Sequence, residues 1–216
     1  MRVPHDEVAG ASAAWNWYPP DARVVETEEF LLVRFPDWFY SPLELLRFTP
    51  TRPTREVMPE VLKHAAGLDA DSVAVWVKLD APADLDPWLE ARGAEVEETL
   101  DVFAAPLVPA VPEVPVPADV AVRQVRGVAE VEGRAVGVGG LSVAGPAARL
   151  WGGAVRLEAR GRGVYRALLA TRLAEGAAHG CTMALVKGRV ETSGPVLRRA
   201  GFEVHGQERL RRLRLA

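Results

Sequence analysis

"EARGRGVYRALLATRLAEG", residues 158–176, sets Gly161 and Gly163 among Arg160, Arg162 and Arg166 and then runs into an apolar stripe. Tyr165, Leu168, Leu169 and Leu173 recur at helical spacing, so the stretch predicts a helix over about 163–178, stopped at His179-Gly180. Upstream, the alternation in 148–157 predicts a strand that delivers the chain into Arg160-Gly161-Arg162-Gly163. A helix N-terminus leaves its first N–H groups without intrahelical partners and carries the positive end of the helix dipole. Glycines ahead of it admit left-handed backbone and let an anion approach the amides without Cβ interference. The junction is therefore a candidate pyrophosphate site, with Arg162 and Arg166 placed to add charge-assisted contacts to a further phosphate. A basic surface turn has the same residues, and this stretch alone leaves both readings open.

Working outward, Val/Leu alternation and intervening glycines predict strands near 120–126, 129–137 and 138–144 ahead of 148–157. After the helix, "CTMALV" at 181–186 reads as a short buried strand. Pro195 opens a second helix ending at Gly201, and "FEVHGQERLRRLRL" predicts two strands around a turn at His205-Gly206. Strand, crossover helix and strand imply a right-handed parallel pair inside an otherwise antiparallel sheet.

The same order recurs earlier. Between Leu107 and Asp119, "LVPAVPEVPVPAD" carries prolines at 109, 112, 115 and 117 and reads as a semi-rigid polyproline spacer. Adding 108 lays "PWLEARGAEV" (87–96) over "PVLRRAGFEV" (195–204), with Pro87/Pro195, Leu89/Leu197, Gly93/Gly201, Glu95/Glu203 and Val96/Val204 identical. "SVAVWV" (72–77) then falls on "GCTMAL" (180–185), and "FLLVRF" (30–35) on "VGGLSV" (138–143). An internal repeat of about half the chain follows, with expected boundaries at 1–107, a linker at 108–118 and a second domain at 119–216.

Charge separates the halves. Residues 1–108 hold 9 Lys+Arg against 20 Asp+Glu, a net of −11, and residues 109–216 hold 17 against 9, a net of +8. The second half thus suits a polyanionic partner, either nucleic acid or a small phosphorylated ligand. One cysteine, Cys181, excludes an internal disulfide framework and fits a reducing compartment. With no signal layout and no apolar run of about 20 residues, the expectation is a cytoplasmic protein without membrane contact. Its oligomeric state is left open.

"RGRGVYRALL" resembles the acyl-CoA signature of the GNAT superfamily of N-acetyltransferases, Gln/Arg-x-x-Gly-x-Gly/Ala at a strand-to-helix junction. Arg160 matches its first position and Gly163 its central glycine, whereas Tyr165 stands where Gly or Ala is usual. "LRRAGFEV" (197–204) resembles the second landmark, a short helix closing on Gly-Phe. The resemblance covers 120–215 and reaches the first half through the repeat. It implies an α/β (α+β) fold of two GNAT-like mixed, mostly antiparallel sheets flanked by helices. It further implies acetyl-CoA as acyl donor, transferred directly from the thioester to a primary amine of a small molecule or peptide. Val155, Arg156 and Leu157 would pair with the pantetheine arm. Arg160, Gly161, Arg162, Gly163, Val164 and Tyr165 would hold the pyrophosphate, with Arg166 beside them.

Several positions depart from the pattern. Leu197 stands where the family has the tyrosine that protonates the leaving thiolate; Ser193 is the substitute, or simply a helix N-cap. Glu158 and Glu191 are the candidate general bases, each also readable as a solvated loop carboxylate. Cys181 reads as core, His179 and His205 have no metal or triad companions, and no metal site is expected. Space for the helices that usually shape the acceptor site is missing after strand 120–126. Trp15, Trp17, Trp38, Phe39 and Tyr40 are candidate substitutes for that wall, or ordinary core. In the first half the loop reads Arg52-Pro53-Thr54-Arg55, where Pro53 lacks an amide donor and Arg55 carries a Cβ, so one donor site is expected, in the second half. The rival to a transferase is a non-catalytic acyl-CoA-binding protein. Nucleic-acid binding through "ERLRRLRL" (208–215) is not expected, because alternating Arg and Leu is what a half-buried strand provides.

Overall fold

The computed structural model describes residues 2–123, 128–131 and 133–215. In chain order the first elements are helix α1 (His5–Ala13), strands β1 (Arg23–Glu26), β2 (Phe30–Arg34) and β3 (Leu43–Phe48), and helix α2 (Thr54–Ala66). Then follow β4 (Ser72–Val77), α3 (Leu85–Glu90), β5 (Glu95–Pro106), β6 (Val120–Arg123), β7 (Val128–Val131), β8 (Arg134–Ala144) and β9 (Ala147–Val155). A 3-10 turn at Leu157–Ala159 leads to α4 (Val164–Ala178), β10 (Met183–Arg189), α5 (Gly194–Arg199) and β11 (Glu203–Arg214).

The chain forms two compact units. One comprises Ser12–Leu100 with Gln207–Ala216, the other Met1–Ala11 with Asp101–Gly206. These limits differ from a sequential division at the proline-rich segment, because each unit takes the strand that ends the other half of the sequence. In the first unit the order is β1-β2-β3-β4 followed by the 207–214 part of β11. The pairs β1/β2, β2/β3 and β4/β11 are antiparallel and β3/β4 is parallel. Helix α2 makes the crossover between the parallel strands, and its Val57, Met58, Val61 and Ala65 meet Phe30, Leu32, Leu43 and Leu45 in the core.

The second unit runs β6-β7-β8-β9-β10, with the 101–106 part of β5 beside β10. Only β9/β10 among its registered pairs is parallel, from Met183↔Ala147 to Val186↔Leu150. Helix α4 crosses over between these two strands and buries Leu169 and Leu173 against Leu150, Ala184 and Val186. Both units are thus mixed, mostly antiparallel sheets flanked by helices, the α+β class that the sequence implies.

Helix spacing located α4 to within one residue, and Pro195 and Gly201 placed α5 to within two. Elsewhere local signals misled. The tail forms one strand, β11, instead of two around His205-Gly206: Gly206, with φ of 145°, stays within the strand, and the unit boundary falls after it. The turn expected between 137 and 138 lies at Gly133, with φ of 74°, and β8 runs through as one strand with a register shift between Val138 and Gly140. Residues 124–126 of the expected strand 120–126 lie outside the described residues. The proline-rich segment forms no helix or strand, yet it is packed: Val114 is buried with Phe103, Leu107, Leu173 and Phe202. Among the described residues no helix is long and apolar enough to cross a membrane.

Candidate functional site

The strand-to-helix junction is built as two left-handed steps. Gly161 and Gly163 both have φ of 77°, and Gly163 is the N-cap of α4 without a side-chain cap bond. Left-handed backbone costs a residue with a Cβ about 1–2 kcal/mol, so the turn itself favours glycine at both positions. At Gly163 space is also decisive, since a Cβ there would lie 2.4 Å from Pro117 Cγ. At Gly161 a Cβ would meet nothing within 4 Å. Arg160 N–H bonds Leu157 O at 3.2 Å and Ala167 N–H bonds Gly163 O at 3.0 Å. Between them, the N–H groups of residues 161–166 have no acceptor among the described residues.

These amides border a cavity of about 510 Å3. Of the ten residues expected at a donor site, Val155, Arg160, Gly161, Gly163, Val164, Tyr165 and Arg166 line it. Arg162 instead donates to Asp119 at 2.9 Å. Arg156 and Leu157 lie past the end of β9, Arg156 N–H bonding Val136 O at 2.8 Å and Leu157 opening the 3-10 turn. The β9/β10 ladder ends at Leu150/Val186, so residues 151–155 pair on the β8 side only. That leaves a strand edge open toward an extended ligand arm.

None of the three acid–base candidates lines this cavity. Glu158 is exposed, and a hydrogen bond from its own backbone, with a lesser contribution from Arg156 at 3.4 Å, holds its carboxyl below the usual range. Glu191 lies exposed in the turn after β10. Ser193 stands at the start of α5 but makes no cap bond; its hydroxyl donates to Arg189 O at 3.4 Å. Leu197 is fully buried beside Phe103, Val186 and Phe202. Cys181 is buried too, and burial pushes its thiol pKa up. His205 stacks on His5 with ring centroids 6.0 Å apart. Among the described residues no group of three His, Cys, Asp or Glu side chains is gathered for a metal. Trp15, Trp17, Trp38, Phe39 and Tyr40 all belong to the other unit, with Trp17, Trp38 and Tyr40 exposed around Phe39.

Two features escaped sequence reasoning. Arg172, one turn beyond Leu168 on the packed face of α4, is buried. Its Nε donates to Leu168 O at 2.9 Å, and Nη1 to Gly140 O and Trp151 O, each at 3.4 Å, where the β8 register shifts. Nη2 has no acceptor, and burial lowers the guanidinium pKa while the adjoining Tyr165 hydroxyl is raised by its own burial. Gly139 makes the room, since a Cβ there would lie 2.9 Å from Arg172 Cζ. The second feature is the far wall of the cavity, Val114, Pro115, Val196, Arg199 and Ala200, drawn from a segment that reads as a spacer and from α5.

No family model matches the chain, and a search of curated proteins finds no match. Solved structures do resemble it. A GCN5-related N-acetyltransferase from Kribbella flavida is 17% identical, with a TM-score of 0.67 over 98% of this chain and 95% of that one. A tandem GNAT protein from the clavulanic acid biosynthesis pathway is 14% identical, with a TM-score of 0.65 over 97% and 88%. A GCN5-related N-acetyltransferase from Sphaerobacter thermophilus is 17% identical, with a TM-score of 0.63 over 87% and 81%. The chain therefore has the fold of the GNAT N-acetyltransferases. Similarity to a tandem member over nearly its whole length fits the paired units described above.

Proposed function

We propose that the chain is an acetyl-CoA-dependent N-acetyltransferase with a single donor site at residues 160–166, built as a tandem repeat whose first half has lost that site. The repeat reading is supported by position: β5 at 95–106 becomes 203–214 on adding 108, the span of β11, and α3 at 85–90 becomes 193–198, one residue from α5. The observation that carries the donor reading is that Gly161 and residues 163–166, whose amides have no acceptor among the described residues, line a cavity also lined by Arg160. Such amides suit a pyrophosphate, and the guanidinium groups add charge without an acidic side chain among the lining residues.

The donor supplies an activated thioester carbonyl. The chain's part is orientation: the open edge of β9 would align an extended arm, and a backbone N–H of that edge would receive the developing oxyanion. The amine nitrogen forms the C–N bond as the C–S bond breaks. Its proton passes to water or to Glu158 or Glu191 brought within reach by the acceptor, a primary amine of a small molecule or peptide. With Leu197 fully buried, the leaving thiolate takes its proton from solvent or Ser193.

One observation favours a second reading, a non-catalytic acyl-CoA-binding protein. No titratable carboxylate or hydroxyl among the expected catalytic residues lines the cavity, and Glu158 is held below the usual range. Free-thiol release from acetyl-CoA across a panel of amines and peptides separates the two. Release above the uncatalysed rate supports transfer, and tight binding without release supports the second reading.

A further inference from the structure

Strands β8 and β9 fall out of step where the open edge of β9 begins. The pairs Gly140/Trp151 and Val138/Ala154 enclose one residue on β8, Gly139, and two on β9, Gly152 and Gly153, which makes a bulge. Arg172 reaches this bulge from α4 and is only 4% exposed. A Cβ on Gly139 would lie 2.9 Å from its Cζ, and one on Gly153 3.6 Å from its Nη2, so the guanidinium spans both strands from beneath. Its acceptors are backbone carbonyls, with no carboxylate among the described residues. Nε donates to Leu168 O at 2.9 Å, and Nη1 to Gly140 O and Trp151 O at 3.4 Å each. A buried cation without a counter-ion is costly to keep, and packing alone does not call for one.

The bonds it makes fix the direction of one peptide. A single nitrogen reaches the oxygens of both Gly140 and Trp151, so these carbonyls point into the space between the two strands. The Trp151–Gly152 peptide is trans, and its N–H therefore opposes its C=O. The Gly152 N–H thus faces the other edge of β9, where the ladder to β10 has already ended at Leu150/Val186. A hydrogen bond from a cation to a peptide oxygen polarises the group and strengthens the donor at its nitrogen. We infer, resting on the donor reading above, that Arg172 is a positioning residue for the acyl carbonyl. From beneath β9 it holds the Trp151–Gly152 peptide and presents the polarised Gly152 N–H to the thioester oxygen.

The infrared band of acetyl-CoA labelled with carbon-13 at the acyl carbonyl, bound to the full chain, reads that bond directly. A hydrogen bond to the thioester oxygen lowers its stretching frequency, and a downshift is expected on binding to the unsubstituted chain. Arg172→Met replaces the buried cation with an apolar side chain, a change that buried charges often tolerate. It should lose most of the downshift while CoA, which has no thioester, binds as before. Arg172→Lys keeps a cation and should restore part of it. Gly139→Ala retains Arg172 but displaces its guanidinium, and should also reduce the downshift, so it decides the matter if the Arg172→Met chain does not fold. No downshift in the unsubstituted chain, or an undiminished one after Arg172→Met or Gly139→Ala, would overturn the role of Arg172 and leave the donor reading standing. Failure of both CoA and acetyl-CoA to bind the unsubstituted chain would overturn the donor reading and this inference with it.

Discussion

Two turns stand 108 residues apart, each leading into a crossover helix, and they differ in backbone path and in the carboxylate beside them. At Gly161–Gly163 the chain takes two left-handed steps and the following amides have no acceptor among the described residues. At Arg52–Arg55 there are no left-handed steps: Pro53 has φ of −54° and ψ of 142° and caps α2 without an N–H. The Thr51 and Arg52 amides ahead of Pro53 are used, whereas those of Thr54 and Arg55 have no acceptor among the described residues. Glu29 Oε1 accepts from Thr51 N–H at 3.0 Å and Arg52 N–H at 3.3 Å, and from the Thr51 hydroxyl at 3.1 Å. Arg52 also binds the Glu29 carboxylate directly and donates to Glu60 at 2.7 Å. Adding 108 to Glu29 gives Gly137, so the second half has no carboxylate at that place. A carboxylate of the chain accepts from two amides of the first turn, and no carboxylate lines the cavity at the second.

The comparison corrects one argument made from sequence. Glycines at 161 and 163, absent from the first half, do not by themselves signal a ligand, because the φ values favour glycine at both and Pro117 leaves no room for a Cβ at 163. Their presence marks a different turn, and the donor proposal rests on the amides and the cavity beside them.

The largest expected effect breaks the second turn outright. Gly163→Val combines left-handed strain with a clash on Pro117 and should cost about 2–4 kcal/mol in stability, measured by denaturant unfolding, with loss of donor binding. Gly161→Asn is sharper. Asn tolerates left-handed backbone, and space at 161 is open, so the melting temperature should hardly move while donor affinity falls about tenfold or more by calorimetry. Arg166→Ala should weaken the donor by about tenfold, the loss of one charge-assisted contact.

At the other turn the expected effect is smaller and of another kind. The Arg52 guanidinium, beside lesser hydrogen bonds from Thr51, holds the Glu29 carboxyl at about 2 against an ordinary 4.5. A lowered folded-state value means stabilisation that is complete above pH 4.5 and lost as pH falls toward 2. Glu29→Gln should therefore flatten the acid limb of the stability curve across that window. It should create no second donor site, since Pro53 still lacks an amide.

Much of this was legible in the sequence, for identifiable reasons. Tyr165, Leu168, Leu169 and Leu173 fix α4 because helical periodicity is local, and the residue patterns of the two halves carry the repeated element order. What failed depended on distant partners. His205-Gly206 has the local chemistry of a turn, but 209–214 pair with 72–77 and keep the strand running. Val114 belongs to a segment with no local periodicity, and only its burial makes it a wall. Charge was misleading for the same reason. Arg209 and Arg211 bind Asp86, and Arg212 binds Glu97, within the first unit. Counted by unit, the first holds 12 Lys+Arg against 18 Asp+Glu and the second 14 against 11, so −11 and +8 become −6 and +3. The cationic character that matters is local to the donor cavity.

The central proposal is that one of the two turns binds a phosphorylated donor and the other, with Pro53 at its helix start, does not. Isothermal titration of the full chain with acetyl-CoA tests it most directly. The expected result is one site per chain, abolished by Gly163→Val and unaffected by Glu29→Gln. Two sites, or none, would contradict it.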